Sequence, residues 1–471
     1  MQPRRRIDIE ALKRRFALLL VTLMVAGGGV YAYQHWFVTG PPHPDSWDPR
    51  VVPIVRFVER ERNLTFDHAI YVDFLTDADY QTAARGNVAS GTAGTAALEA
   101  ASDTNDLFNA FGLVGDANVA RAEAAISAAA SIGVYTPATD RIAIRGNKLT
   151  PAVRVVLAHE LTHALQAQHF DLSHTANSAV VRSLAEADAM RIEDQYLDGL
   201  APEERAAAVA GNAISEKALR ALATVPWTLT ALRMAPYELG PALVNMVYDQ
   251  RGNDGVNLLF HTLPSEAQLL SPWKWAPGID ATPTEVSARP PASTVESGTS
   301  QPMSRLQLLL MLDAWLPWSM ARGALDSLEG AAFVPYRATV DGPVCATIVA
   351  QFAADPTPFA DAITWWAGAS GSAAQPIVSR NTVSFDACPR GRKAPTPPAP
   401  TVSTTTALLA ENNAIPQTVR DAAAATPYLC AARHLVDDPS VAHILSSAKR
   451  SAAEQKALDA SLANARRGCG A

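Results

Sequence analysis

The chain has 471 residues, 48% of them hydrophobic and 18% charged, so it carries enough apolar surface to bury a sizeable core. A formal charge of −7 gives no basic field, and no nucleic-acid partner is expected. The length allows two or three folded units, and the alternation of helix-like and strand-like runs reads as an α+β fold.

The first segment, residues 1–15, is basic, with Arg4, Arg5 and Arg6 followed by Lys13, Arg14 and Arg15. The uncharged run Phe16–Tyr33 would span about 27 Å as a helix, close to the thickness of a bilayer core. Its flank is basic before and not after, which predicts a cytoplasmic N-terminus and a body outside the cell. No A-x-A cleavage site and no lipobox cysteine follow, so residues 16–36 read as an uncleaved anchor in the lipid bilayer. A cleaved signal peptide is the rival reading. The expected placement is thus the cell membrane, single-pass, with the body facing the envelope. Residues 37–50, with Pro41, Pro42 and Pro44, read as a stiff spacer.

Val51 to Val58 and Ala69 to Phe74 read as strands, and Ala96 to Ala110 and Ala117 to Ala130 as helices. Ile132 to Thr136 and Arg141 to Arg145 are short β-prone runs joined by the turn-like Pro137-Ala138-Thr139-Asp140, a hairpin. A strand beside a catalytic metal helix commonly holds an extended substrate by main-chain hydrogen bonds. Ile142, Ala143, Ile144 and Arg145 are the candidates for that strand.

The hairpin leads into His159-Glu160-Leu161-Thr162-His163, which reads H-E-x-x-H. Thr150-Pro151 before it is an N-cap residue followed by proline at the first helical position. Leu157, Leu161, Ala164 and Leu165 form an apolar stripe lying largely away from the two histidines. Histidines four residues apart on a helix share one face and can share one ion, while the adjacent glutamate can polarise a metal-bound water. This is the working core of a zinc-dependent hydrolase binding one Zn²⁺ per chain.

A catalytic zinc needs a third protein ligand. His169 falls at the spacing of H-E-x-x-H-x-x-G-x-x-H, the metzincin pattern. That pattern needs a glycine where this chain has Gln166, because the chain leaves the helix sharply there. Glu186, on a second helix over about 177–197, is the preferred ligand, and His169 the alternative. Asp188 points to another face of that helix, either as an outer partner of the metal site or as a merely solvated carboxylate.

His159 to Phe170 resembles the motif of bacterial gluzincin-type neutral zinc metallopeptidases, a largely uncharacterised group. Tyr135-Thr136-Pro137 with Arg141 to Gly146, and Ala185 to Ala189, resemble its flanking blocks. The second block reads Glu-Gly-Asp-Ala in that group, and Ala187 replaces the glycine here. The resemblance continues weakly through Pro236 to Gly240 and Pro264 to Leu270. It implies a zincin-like metallopeptidase domain over about 51–275, with His159, His163 and Glu186 as ligands and Glu160 as general base.

Helices are expected on to about His261. Tyr237, Tyr248 and His261 are candidate oxyanion donors. Residues 276–303 read as a loop rich in Pro, Ser and Thr. A C-terminal α+β unit over 304–388 combines a helix, Arg305 to Trp315, with strands near Cys345 to Phe352 and Thr382 to Ala387. Its Trp365-Trp366 pair reads as core. Residues 389–416 read as a Pro-rich linker and 417–471 as a helical hairpin tail. Four cysteines in an exported chain suggest two disulfides. Of three pairings, the neighbours Cys345–Cys388 and Cys430–Cys469 are favoured.

Three functions compete. The first is a membrane-anchored zinc peptidase acting on envelope or extracellular proteins and peptides. The second is a catalytically silent zincin-like binding or assembly protein, against which the intact Glu160 argues. The third is a zinc amidase acting on cell-wall peptides.

Overall fold

A computed structural model of the chain describes residues 41–80, 95–129, 132–170, 172, 179–213, 215–276, 284–372, 374–389, 395–415, 420, 422–445, 447 and 450–470. The single-pass membrane placement is corrected. Among the described residues no helix is long and apolar enough to cross a membrane. The runs on which that expectation rested, residues 1–15 and 16–36, lie outside the described residues, as do residues 37–40 of the spacer.

The N-terminal half runs α1 (Val52–Arg62), β1 (Tyr71–Leu75), α2 (Thr95–Ala110), α3 (Val119–Ala129), β2 (Gly133–Thr136), β3 (Arg141–Arg145), α4 (Pro151–His169), α5 (Ala179–Asp198), α6 (Pro202–Gly211), α7 (Glu216–Leu222) and α8 (Trp227–His261). The run Val51 to Val58 is therefore helix and not strand. Pro53 fits the first helical turn, and Ile54, Val55, Val58 and Arg62 recur on one buried face. The hairpin forms as expected, with Asp140 of its turn at φ 50°.

The small sheet has the order β1-β3-β2, β1 parallel and β2 antiparallel to β3. Its apolar face, with Ile142 and Ile144, packs with Ile54, Val55 and Val58 of α1 and Leu157, Leu161 and Leu165 of α4 in one core. This core seats the H-E-x-x-H helix.

The second half runs α9 (Glu266–Leu270), β4 (Glu296–Ser297), β5 (Gln301–Pro302), α10 (Arg305–Asp313), α11 (Trp318–Gly323), β6 (Leu328–Arg337), β7 (Cys345–Phe352), α12 (Thr357–Ser370), β8 (Ile377–Ser379), β9 (Thr382–Ala387), α13 (Thr404–Ala414), α14 (Ala422–Asp437), α15 (Ala442–Leu445) and α16 (Ala452–Cys469). Its sheet has the order β4-β6-β7-β9-β8, with β5 also on β6. The expected loop over 276–303 thus contributes two short strands. The expected linker over 389–416 contains a helix, α13, whose Glu411 is buried. One continuous apolar core runs from Leu107 through Leu309, Phe333 and Trp366 to Ala442. The proposed boundaries near 276 and 389 therefore do not separate independent cores. Trp366 is fully buried, but Trp365 is 65% exposed, so only one of the pair is core.

Both favoured disulfides are present. Cys345–Cys388 ties the start of β7 to the end of its neighbour β9, and Cys430–Cys469 closes the tail between α14 and α16. Among the described residues no cysteine is free.

Candidate metal centre

Local sequence sets the helix that carries the site. The Thr150 hydroxyl oxygen accepts the Val153 N–H at 3.3 Å, and Pro151 occupies the first turn. Leu157, Leu161, Ala164 and Leu165 are 0–1% exposed and anchor one face of α4 in the first core. His159 and His163 lie off that stripe and meet α5.

The two imidazoles and one carboxylate converge. His159 Nε2 lies 3.0 Å from His163 Nε2, and each lies 3.3 Å from Glu186 Oε2. His169 is elsewhere: its Nε2 donates to the Thr65 carbonyl at 2.7 Å. Of the two candidate third ligands, the fold brings Glu186 to the histidines.

The far side of each ring is also fixed. His159 Nδ1 faces Glu193 Oε2 at 2.9 Å, and His163 Nδ1 faces Gln166 Oε1 at 3.1 Å. Both partners are acceptors, so both Nδ1 atoms carry hydrogens, and in the neutral rings both Nε2 atoms turn lone pairs toward one point. Two lone pairs and a carboxylate oxygen within 3.3 Å repel unless a cation or protons lie among them. The charges agree. Burial alone would lower the His159 pKa, but Glu186, Glu193 and Glu160 outweigh it and raise it to about 10. His163 is raised against burial, chiefly by Glu186. Burial would lift Glu186, yet His163 and His159 hold it well below the usual carboxylate range. The pocket demands positive charge, and two imidazole nitrogens with one carboxylate oxygen suit Zn²⁺.

Glu160 adds its charge to this cluster, but its carboxylate is bonded elsewhere. Its Oε2 accepts the Tyr135 N–H of β2 at 2.7 Å. Gly133 permits this approach, since a Cβ there would run into Val156 of α4 and Ile144 of β3. Strand β2 is the sheet edge that lies against α4. Strand β3 is paired on both sides, to β1 and β2, so its main chain is engaged. The assignment of Ile142, Ala143, Ile144 and Arg145 as substrate strand is corrected accordingly, and β2 is the strand at the site.

Helix α8 lies beside α5. Contacts at Ser183 with Gly240 and at Arg191 with Tyr248 advance together, so the two helices run in the same direction. A side chain at Gly240 would overlap the Ser183 carbonyl and crowd Ala187. Room for Ala187, where the resembling group has glycine, is therefore made by a glycine on the facing helix. Of the three candidate oxyanion donors, Tyr237 reaches the cluster: burial first, then the charge of Glu186 and a hydrogen bond to it, push its pKa up. Tyr248 lies under the Arg191 guanidinium at 4.1 Å, and His261 sits edge-on to Phe170.

Sequence reasoning missed Glu193, Tyr80 and the role of Gln166. Glu193 lies two turns after Glu186, a spacing that puts both carboxylates on one face of α5. Buried Tyr80 has its pKa pushed up to about 12, first by burial and then by the Glu160 charge, and no local signal marks it. No protein-family profile, no curated protein and no solved structure matches this chain.

Proposed function

We propose that this chain is a zinc-dependent metallopeptidase that hydrolyses peptide bonds, with a zincin-like arrangement around α4 and β2. The observation that carries the proposal is the convergence of His159 Nε2, His163 Nε2 and Glu186 Oε2 within 3.3 Å, with a carboxylate one residue from the first histidine. His159, His163 and Glu186 would hold the ion. Zinc supplies Lewis acidity in such a site, polarising water and the scissile carbonyl. Glu160 is held by its Oε2 on the Tyr135 N–H, and its other oxygen is left to take a proton from the attacking water and pass it to the leaving amine. Tyr237 is the phenol placed to donate to the developing oxyanion.

The test is Glu160→Gln. The variant should fold and keep its zinc, because Glu160 is not a ligand. Cleavage across a peptide library should fall by about 10²–10⁴-fold, since an amide cannot accept the proton. Equal cleavage by both proteins removes Glu160 from the mechanism. A zinc-loaded wild type that cleaves nothing points instead to the silent binding protein.

A further inference from the structure

Behind the candidate centre lies a buried polar chain that sequence motifs do not mark. Gln166 is 1% exposed, one turn past His163. Its Nε2 donates to the Ala185 carbonyl at 3.1 Å and to Asp188 Oδ2 at 2.9 Å. Both amide hydrogens are thereby used, and Oε1 has to face His163 Nδ1. Asp188 is itself fixed. Its Oδ2 pairs with Arg62 Nε at 2.9 Å, both side chains being fully buried, and its Oδ1 accepts from Arg191 at 3.0 Å. Arg62 and Arg191 continue to Asn253, and Arg62 to Asn257, on α8.

We propose that Gln166 is a positioning residue, locked by Asp188 and the Ala185 carbonyl so that His163 carries its proton on Nδ1 and presents Nε2 to the ion. The inference rests on the metal-site reading and deepens it. A glutamine amide left to rotate would offer His163 either an acceptor or a donor. The donor would put the proton on Nε2 and spoil the ligand. With two acceptors claiming Nε2 of Gln166, only one orientation satisfies every group. The position at which the metzincin pattern requires glycine is therefore occupied here by a side chain with a task of its own. Asp188, which the sequence left on another face of the helix, serves His163 through it. Outer partners of metal-binding histidines typically govern affinity by about 10–100-fold.

The experiment measures zinc affinity of the purified full chain by competition with a chromophoric chelator, for wild type, Gln166→Leu and Gln166→Glu. Thermal unfolding is recorded on the zinc-free proteins. Gln166→Leu keeps the volume and loses the acceptor, so zinc should bind about 10–100-fold more weakly. Gln166→Glu restores an acceptor toward Nδ1 and should recover most of the affinity, although it meets Asp188 and unfolds earlier. A purely structural role would make affinity follow stability, with Gln166→Glu the weaker binder. That order, or undiminished affinity in Gln166→Leu, overturns the proposal. A reading that needs no variant is the imidazole nitrogen spectrum of zinc-loaded wild type. His163 should show a protonated Nδ1 and a metal-bound Nε2, and the opposite tautomer overturns the proposal. Wild type that binds no zinc overturns the metal site itself and this inference with it, an outcome distinct from the others.

Discussion

Two buried polar clusters sit in this molecule, and they differ in whether their charges close. In the C-terminal half, Arg433 pairs with Asp326 at 2.8 Å and with Glu411 at 3.2 Å, and Arg322 pairs with the other Glu411 oxygen at 3.2 Å. Trp318 donates to Glu411, and Arg322 donates to Ser271. Two arginines meet two carboxylates, so the charges of the pairs offset one another. Burial would lower the Arg433 pKa, but Glu411 and Asp326 hold it raised. Such a cluster needs nothing from outside. At α4 and α5 the carboxylates Glu160, Glu186 and Glu193 surround two imidazoles whose lone pairs converge. That cluster is complete only with added positive charge. A closed network reads as architecture, and an open one of the right donor set reads as a site.

The contrast is broken most severely by removing a partner from the closed network. Glu411→Ala leaves Arg322 and Arg433 buried with less compensation and should cost about 3–5 kcal/mol of stability. Zinc affinity should not change, because no hydrogen bond of that cluster reaches α4 or α5. Chemical denaturation with and without zinc checks both statements. A fall in affinity parallel to the loss of stability would mean that the two clusters are one system.

Asp313 sharpens the contrast at smaller scale. It is enclosed near α13 with a Thr404 hydroxyl at 2.8 Å and no base beside it. Burial raises its pKa to about 7, the Thr404 hydrogen bond opposing and Asp437 adding to the rise. An uncompensated carboxylate thus keeps a proton, whereas Glu186, similarly enclosed, is held ionised by the histidines. The folded chain retains the Asp313 proton to higher pH than the unfolded chain does. Stability should therefore fall as pH rises from the ordinary aspartate range near 4 to about 7, then level off. Asp313→Asn keeps an acceptor for Thr404 and removes this dependence. Relative to wild type it should gain on the order of 4 kcal/mol above pH 7, with the gain vanishing toward pH 4. A gain independent of pH would assign the effect to packing.

The site was more legible in sequence than the body that holds it. The cap at Thr150-Pro151, the H-E-x-x-H spacing and the stripe through Leu157 and Leu161 are local signals, and each is set within a few turns of one helix. Glu186 carried a local signal too, a carboxylate on a neighbouring helix. Gln166 and Asp188 were visible as residues, but their work depends on Arg62 from α1 and Asn253 from α8, contacts that only the assembled fold creates. Val51 to Val58 misled because a short apolar run suits strand and helix alike. Residues 389–416 misled because proline before a helix resembles a linker until Glu411 is seen buried against Arg433. Strand β6, which pairs with β4, β5 and β7 in the larger sheet, went unmarked beside the cysteine-bearing strand.

The central claim is that His159, His163 and Glu186 form one cation site. The most direct measurement is zinc content per chain after metal loading and dialysis, for wild type and for His163→Ala, Glu186→Ala and His169→Ala. The account predicts one zinc in wild type and in His169→Ala, and none retained in the other two, because each leaves an incomplete site. Zinc kept by Glu186→Ala and lost from His169→Ala, or none bound by wild type, would contradict it.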